Sequence, residues 1–166
     1  MKQTLTAERA RELLDYFPET GEFRWKVGRG GRASGSIAGH VDLDGYRRIR
    51  IEGALYLAHR LAWLIAHGSW PTLEIDHRNV VPGDDRIDNL REATRAQNHQ
   101  NIGLRSDNTS GFKGVSFDRI NRKWVARIRV PAGRYKNLGR FPTPDEAHEA
   151  YIDAARDLYG EFARAA

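Results

Sequence analysis

Asp76 and His77 set a carboxylate beside an imidazole, and two asparagines follow at positions 89 and 98. These residue types suit hydrolysis of a phosphodiester. Water must lose a proton as it attacks, the anionic phosphorus centre must be stabilised, and the leaving 3′-oxygen needs an acid. An imidazole, with an ordinary pKa of about 6.5, serves the first need. A hard divalent cation on oxygen ligands serves the other two. His77 is then the base, and Asp76 offers an oxygen ligand. Asn98 brings its side-chain carbonyl to the same ion, and Asn89 accepts a hydrogen bond from one ring nitrogen of His77, leaving the other as base.

The elements that would position these residues are a strand, a turn, a second short strand and a helix. Leu73–His77 is strand-like, and 78–88 is polar and rich in turn formers. Thr94-Arg95-Ala96-Gln97 fits a capping box, which starts a helix at Thr94 and puts Asn98 on its first turn. Neighbouring strand residues point to opposite faces, so aiming Asp76 and His77 at one phosphate requires a bend at the strand end. Upstream, a helix is expected over 6–16 with Thr6 as N-cap, then a turn at Pro18–Gly21 and a strand from Glu22 to Val27. Asp44-Gly45 and Glu52-Gly53 read as turns around a strand at 46–51, and a second helix spans 57–67, ended by Gly68.

Composition sets the outer bounds. The chain has 166 residues and a net charge of +5, enough length for two small domains and a balance that favours an anionic partner. It has no cysteine, so structural zinc held by thiolates is excluded. Neither a secretory signal nor an apolar run of about 20 residues is visible, which points away from a membrane and towards the cytoplasm. His40, His67, His99 and His148 have no partners at metal-ligand spacing and read as surface or structural residues.

The segment after Gly111 partitions its charge. Residues 112–141 carry nine basic side chains against Asp118 alone, whereas 142–166 carry six acidic against two basic. Three strands are expected, at 112–117, 123–130 and 134–141, then one amphipathic helix with Thr143 as N-cap, Pro144 at its first position and Gly160 as terminator. In the middle strand Trp124, Ala126 and Ile128 alternate with Lys123, Val125, Arg127 and Arg129. The first set would pack on the helix through Ala147, Ala150, Tyr151, Ala154 and Leu158. The second would face outwards, a display that suits a major groove.

Ile75-Asp76-His77, then Asp84–Thr94, then Gln97-Asn98 resembles the ββα-metal motif of HNH endonucleases of the phage and homing type. The intervals of twelve residues from 77 to 89 and nine from 89 to 98 match that branch, and Ala58–Trp63 resembles the helix preceding the motif. The resemblance implies His77 and Asn89 as catalytic residues and Asp76 and Asn98 as ligands of one Mg2+ or Mn2+ ion per site. The family usually has Asp-Asn-Arg where this chain has Asp84-Asp85-Arg86; Asp85 is read as a surrogate in that turn, or as weakening it, and not as catalytic. A lone Asp-His pair is usually just solvated. It is the joint occurrence of four residues at matched spacing that favours the nuclease.

The segment 111–166 resembles the plant Apetala or ethylene-response-factor DNA-binding domain, through Phe112–Val115, Lys123–Arg129, Leu138–Phe141, Glu146-Ala147, Ala150-Tyr151 and Gly160–Ala163. That resemblance puts Lys113, Lys123, Arg127, Arg129, Tyr135 and Asn137 on the DNA side. Ser116 and Asn137 stand where the plant pattern has arginine and tryptophan, so plant sequence preference is not carried over. Arg24, Lys26, Arg29, Arg32, Arg47, Arg48 and Arg50 add a basic stretch, solvated by default and leaning to phosphate contacts. Arg47 and Arg48 are the foremost of these, and His59 is either a core histidine or a further DNA contact.

The expected protein is thus α+β, with a nuclease domain at 1–104, a linker at 105–110 and a DNA-docking domain at 111–166. Its partner is double-stranded DNA, and a phage or mobile-element origin would put it in a bacterial host cell. One site per chain implies that a monomer nicks and a dimer breaks both strands; the oligomeric state is left open. The main alternative is a sequence-specific DNA-binding regulator with an inert first half. A nuclease directed at RNA is the lesser one, which competition by duplex RNA would expose.

Overall fold

The computed structural model describes residues 5–28, 31, 33–101, 104, 107–130 and 133–163. The basic candidates Arg29 and Arg32, and residues 105 and 106 of the expected linker, lie outside the described residues. The chain forms two compact units, Met1–Ala93 and Thr94–Ala166. This division falls ahead of the segment expected as linker. The helix after Thr94 groups with the second unit, where its backbone lies beside a 3-10 turn at Gly160–Phe162.

The first unit opens with helix α1 (Ala7–Leu13), whose N-cap Thr6 accepts from Arg9 N at 3.2 Å. The helix is shorter than the 6–16 expected. Leu14–Phe17 instead forms strand β1, paired antiparallel with β2 (Glu22–Trp25) across the Pro18–Gly21 turn. Pairing wins because it buries Leu14 and Phe23 and stacks Tyr16 on Phe23 at 4.7 Å. Strands β3 (His40–Val41), β4 (Arg47–Ile51) and β5 (Ala54–Leu57) form a three-stranded antiparallel sheet. Helix α2 (Ala58–His67) follows at once and turns Leu61 and Leu64 into a core shared with Leu14, Phe23 and Ile49. Fully burying each such side chain contributes about 1.5–3 kcal/mol. Strands β6 (Glu74–His77) and β7 (Leu90–Ala93) form a separate two-stranded sheet.

The second unit begins with α3 (Arg95–Asn101), and the expected capping box is present. Thr94 N donates to Gln97 Oε1 at 2.8 Å, while Gln97 N donates to Thr94 Oγ1 at 3.3 Å. Strands β8 (Val115–Asp118), β9 (Lys123–Arg129) and β10 (Tyr135–Phe141) form an antiparallel sheet with β9 in the middle, packed on α4 (Pro144–Tyr159). Ala126 and Ile128 are buried against Ala147, Tyr151 and Ala155, as the alternation in β9 requires.

Two side chains depart from that pattern. Val125, expected on the open face, is buried, and Leu158, expected in the core, is exposed at the last turn of α4. Gly114 is indispensable here. Its φ is +73°, and a Cβ would lie 2.3 Å from the Tyr151 ring and 2.7 Å from Arg127 O.

Candidate active site

The buried charged and polar side chains of the first unit converge on the β6–β7 pair. His59, Asp76, His77, Asp85, Asn89 and Arg91 are all buried. Strand register sets Asp76 opposite Arg91 and His77 opposite Leu90. Arg91 donates to Asp76 Oδ2 through Nε at 2.8 Å, and its Nη2 lies 2.8 Å from the same oxygen. His77 faces a different set of groups. Its Nε2 lies 3.3 Å from Asp85 Oδ1, its ring meets His59 edge-on at 5.0 Å, and Tyr46 stands 6.0 Å away. The carboxylate at 76 and the imidazole at 77 thus hold different neighbours, as period-two alternation dictates.

The loop joining the two strands is tied by Asn89. Its Oδ1 accepts from Asn79 N at 3.1 Å, and its Nδ2 donates to Asn79 Oδ1 at 3.0 Å and to Asp84 O at 2.8 Å. The contact expected between Asn89 and the His77 ring is not made: the acceptor Oδ1 that it would use takes the Asn79 N–H instead. Arg86 clamps Asp84 with two bonds of 2.7 Å, which holds the Asp84 carboxyl down at about 2. The β1–β2 hairpin supports the loop from behind. Tyr16 donates its hydroxyl to Asp85 O at 2.8 Å, and Gly21, at φ +73°, lets the backbone of Asp85 approach where a Cβ would sit 2.7 Å from it.

Asp85 is the residue the sequence reading passed over. It is 0% exposed, its Oδ1 faces His77, and its Oδ2 has no hydrogen-bond partner. Burial pushes its carboxyl up, opposed by the hydrogen bond with His77. Asp85 thus stands where Asn89 was expected, as the group that fixes the ring orientation of His77. The signal was present in the departure from the family's Asp-Asn-Arg pattern. What was missing was the packing of the β1–β2 hairpin, which turns that side chain inward.

The remaining expected residues fall into three places. His59 lies on α2 with its ring inside the unit, and burial, with His77 and Arg60 nearby, drives its pKa down to about 3. Arg48 pairs with Asp42 at 2.6 Å, and Arg47 donates to Ala38 O at 3.2 Å. Asn98 lies on α3 in the second unit, where its N–H donates to Thr94 O at 2.9 Å.

On the second unit, Lys123, Arg127, Arg129, Tyr135 and Asn137 are exposed. Tyr135 pairs across from Arg129, and Asn137 from Arg127, so these four share one face. Lys113 is half-buried in the turn before β8.

Residues 56–100 match the family described as HNH endonuclease. Protein 3.8 of Escherichia phage T7 is 32% identical over 107 residues, covering 64% of this chain and 87% of that protein. The chain belongs to the HNH endonuclease family. It is a DNA endonuclease, and the matched stretch runs from β5 through α2, β6 and β7 into α3, so it includes His59, Asp76, His77, Asp85 and Asn89. An uncharacterized HNH endonuclease, L560 of Acanthamoeba polyphaga mimivirus, is 26% identical over 152 residues, covering 90% of this chain and 70% of that one. Dehydration-responsive element-binding protein 2A of Arabidopsis thaliana is 52% identical over 54 residues. Those residues are 32% of this HNH endonuclease and only 16% of the plant protein.

Proposed function

We propose that this HNH endonuclease hydrolyses phosphodiester bonds in double-stranded DNA with a divalent metal ion, and that its second unit docks it on the duplex. The observation that carries the first half is the buried His77–Asp85 pair. A carboxylate aligned on one ring nitrogen orients the imidazole and leaves the other nitrogen to take a proton from water. Asp76 is the proposed carboxylate ligand of the ion. Hydrogen-bonded by Arg91, it offers a hard oxygen of the type that Mg2+ or Mn2+ takes. Asn98 is carried as the second ligand on the family resemblance alone. Such an ion, when bound, supplies Lewis-acid stabilisation at the phosphate and at the leaving oxygen. Asn89 acts through the loop, holding the backbone around Asp84 so that Asp85 keeps its aim at His77.

For the second unit, the support is a basic exposed sheet face backed by an acidic helix, together with the 54-residue match to a plant responsive element-binding protein. That length fits the 111–166 segment, so an Apetala-type docking domain is the proposed identity of the sheet and helix. In this reading Arg127 and Arg129 reach base edges, and Lys123 reaches phosphates.

Nicking of supercoiled plasmid tests the proposal, with Mg2+ or Mn2+ added to protein first stripped by EDTA. Conversion to the open-circle form should depend on the ion and on His77. Wild-type protein that binds the plasmid but cuts it equally well in EDTA would refute the metal dependence.

A further inference from the structure

Among the described residues, one group of metal-ligating side chains comes together, and it is not the oxygen set assigned above. His59, His77 and Asp85 each bring a ligand atom within 4.8 Å of the other two, and all three residues are buried. We infer that these three side chains form a site for a borderline transition ion of the Zn2+ class, whose occupancy ties up His77 and switches the nuclease off.

Three observations carry this. The first is donor chemistry. Two imidazoles and one carboxylate make a nitrogen-rich set that suits Zn2+, Co2+ or Ni2+ better than Mg2+, which prefers oxygen throughout. Three protein ligands also leave a fourth position for water. The second is the orphaned oxygen. Asp85 is 0% exposed and its Oδ2 has no hydrogen-bond partner, which is costly for a carboxylate unless a cation or donor arrives. The third is rigidity. His59 is fixed on α2 and His77 on β6. Asp85 is held through its backbone by the Tyr16 hydroxyl and by the close approach of Gly21. With bonds of about 2.0–2.1 Å to a tetrahedral ion, ligand atoms stand roughly 3.4 Å apart, so from separations within 4.8 Å a closure of at most about 1.4 Å completes the site.

Binding of the ion needs no assumption about catalysis. The switching-off rests on the reading of His77 as base: an imidazole nitrogen bonded to the ion cannot take a proton from water, and the Asp85 carboxylate is drawn away from its orienting role. Zn2+ would thus inhibit the reaction that Mg2+ supports, from a ligand set that shares no residue with Asp76 and Asn98 but takes up both His77 and Asp85.

The test is a Co2+ titration of the full, EDTA-stripped chain, followed by visible absorption, with Zn2+ displacing the signal. Wild type should take up one Co2+ per chain with the intense visible bands of a four-coordinate ion. His59→Gln and Asp85→Asn should each weaken binding at least ten-fold, with circular dichroism confirming that both remain folded. Wild type with no such bands, or either folded variant binding as tightly as wild type, would overturn the site.

Plasmid nicking then reads the switch. Zn2+ should suppress Mg2+-supported nicking by wild type at the concentration that fills the cobalt site, and suppression should need at least ten-fold more Zn2+ in His59→Gln. A filled site without suppression would overturn the switch. Absence of any nicking in zinc-free wild type would sink the catalytic reading instead, and would leave the cobalt spectrum unchanged.

Discussion

The two units of this endonuclease handle polar groups in opposite ways. The first buries His59, Asp76, His77, Asp85, Asn89 and Arg91 around one pair of strands. The second keeps Lys123, Arg127, Arg129, Tyr135 and Asn137 outside, and buries mainly small and apolar side chains beneath them. Burial tunes and aims a few groups at the cost of desolvation, which chemistry at a single phosphate requires. Exposure leaves charges hydrated and mobile, which contact along a polyanion tolerates, because much of the affinity there comes from released counterions. Under the proposed function, short antiparallel hairpins packed with helices would thus serve reaction in one unit and adhesion in the other.

Removing the base should give the largest effect. His77→Ala is expected to lower the nicking rate about 100- to 10,000-fold, the usual contribution of general base catalysis, with DNA affinity within a factor of a few of wild type. Single-turnover kinetics beside a gel-shift titration would check it, and a loss of affinity that parallels the loss of rate would place His77 in docking instead.

Asp76→Ala comes next. It takes the carboxylate away from a buried guanidinium, so the first unit should lose about 3–5 kcal/mol of stability in addition to activity. Urea unfolding measures this, and a change below about 1 kcal/mol would show that water reaches Arg91 readily.

On the other side of the comparison, Arg129→Ala should leave folding untouched and cost about 1–3 kcal/mol of binding to a preferred sequence if the side chain reads a base. Equal losses on preferred and random DNA, with a shallower salt dependence, would make it a phosphate contact.

The smallest effect concerns acid. His59 has a folded pKa near 3, below its unfolded value of about 6.5, so the unfolded chain binds the extra proton across that window and stability falls with falling pH. His59→Gln should remove about 1 kcal/mol of the stability difference between pH 7 and pH 5.5. Unfolding curves in EDTA at the two values would detect it. An identical pH response in the variant would mean that His59 is not the group whose protonation is disfavoured.

How far the sequence carried these assignments depends on the range of the interactions. The strand ending at His77, the capping box at Thr94 and the helix begun by Thr143 and Pro144 rest on residues close in sequence, and they stand where the local pattern puts them. The β9 alternation predicted Ala126 and Ile128 inside and Arg127 and Arg129 outside for the same reason.

What escaped the sequence depends on distant contacts. Leu14 leaves α1 for a strand because Trp25 is available to pair with it, as Phe23 is with Tyr16. Asp85 becomes the partner of His77 only once the hairpin at Tyr16 and Gly21 presses on the loop. Asn89 reads as a ring acceptor until the backbone of 79–84 folds back to claim its amide. The burial of Val125 has no explanation in the pattern of its strand.

The division of labour between the units is tested most directly by the single-turnover nicking rate at saturating protein for His77→Ala and for the double variant Arg127→Ala/Arg129→Ala. The first should bind plasmid normally and remain slow however much protein is added. The second should need more protein to saturate and then cut at close to the wild-type rate. A double variant whose saturated rate falls as far as that of His77→Ala would contradict the account, because the exposed sheet would then be part of the chemistry.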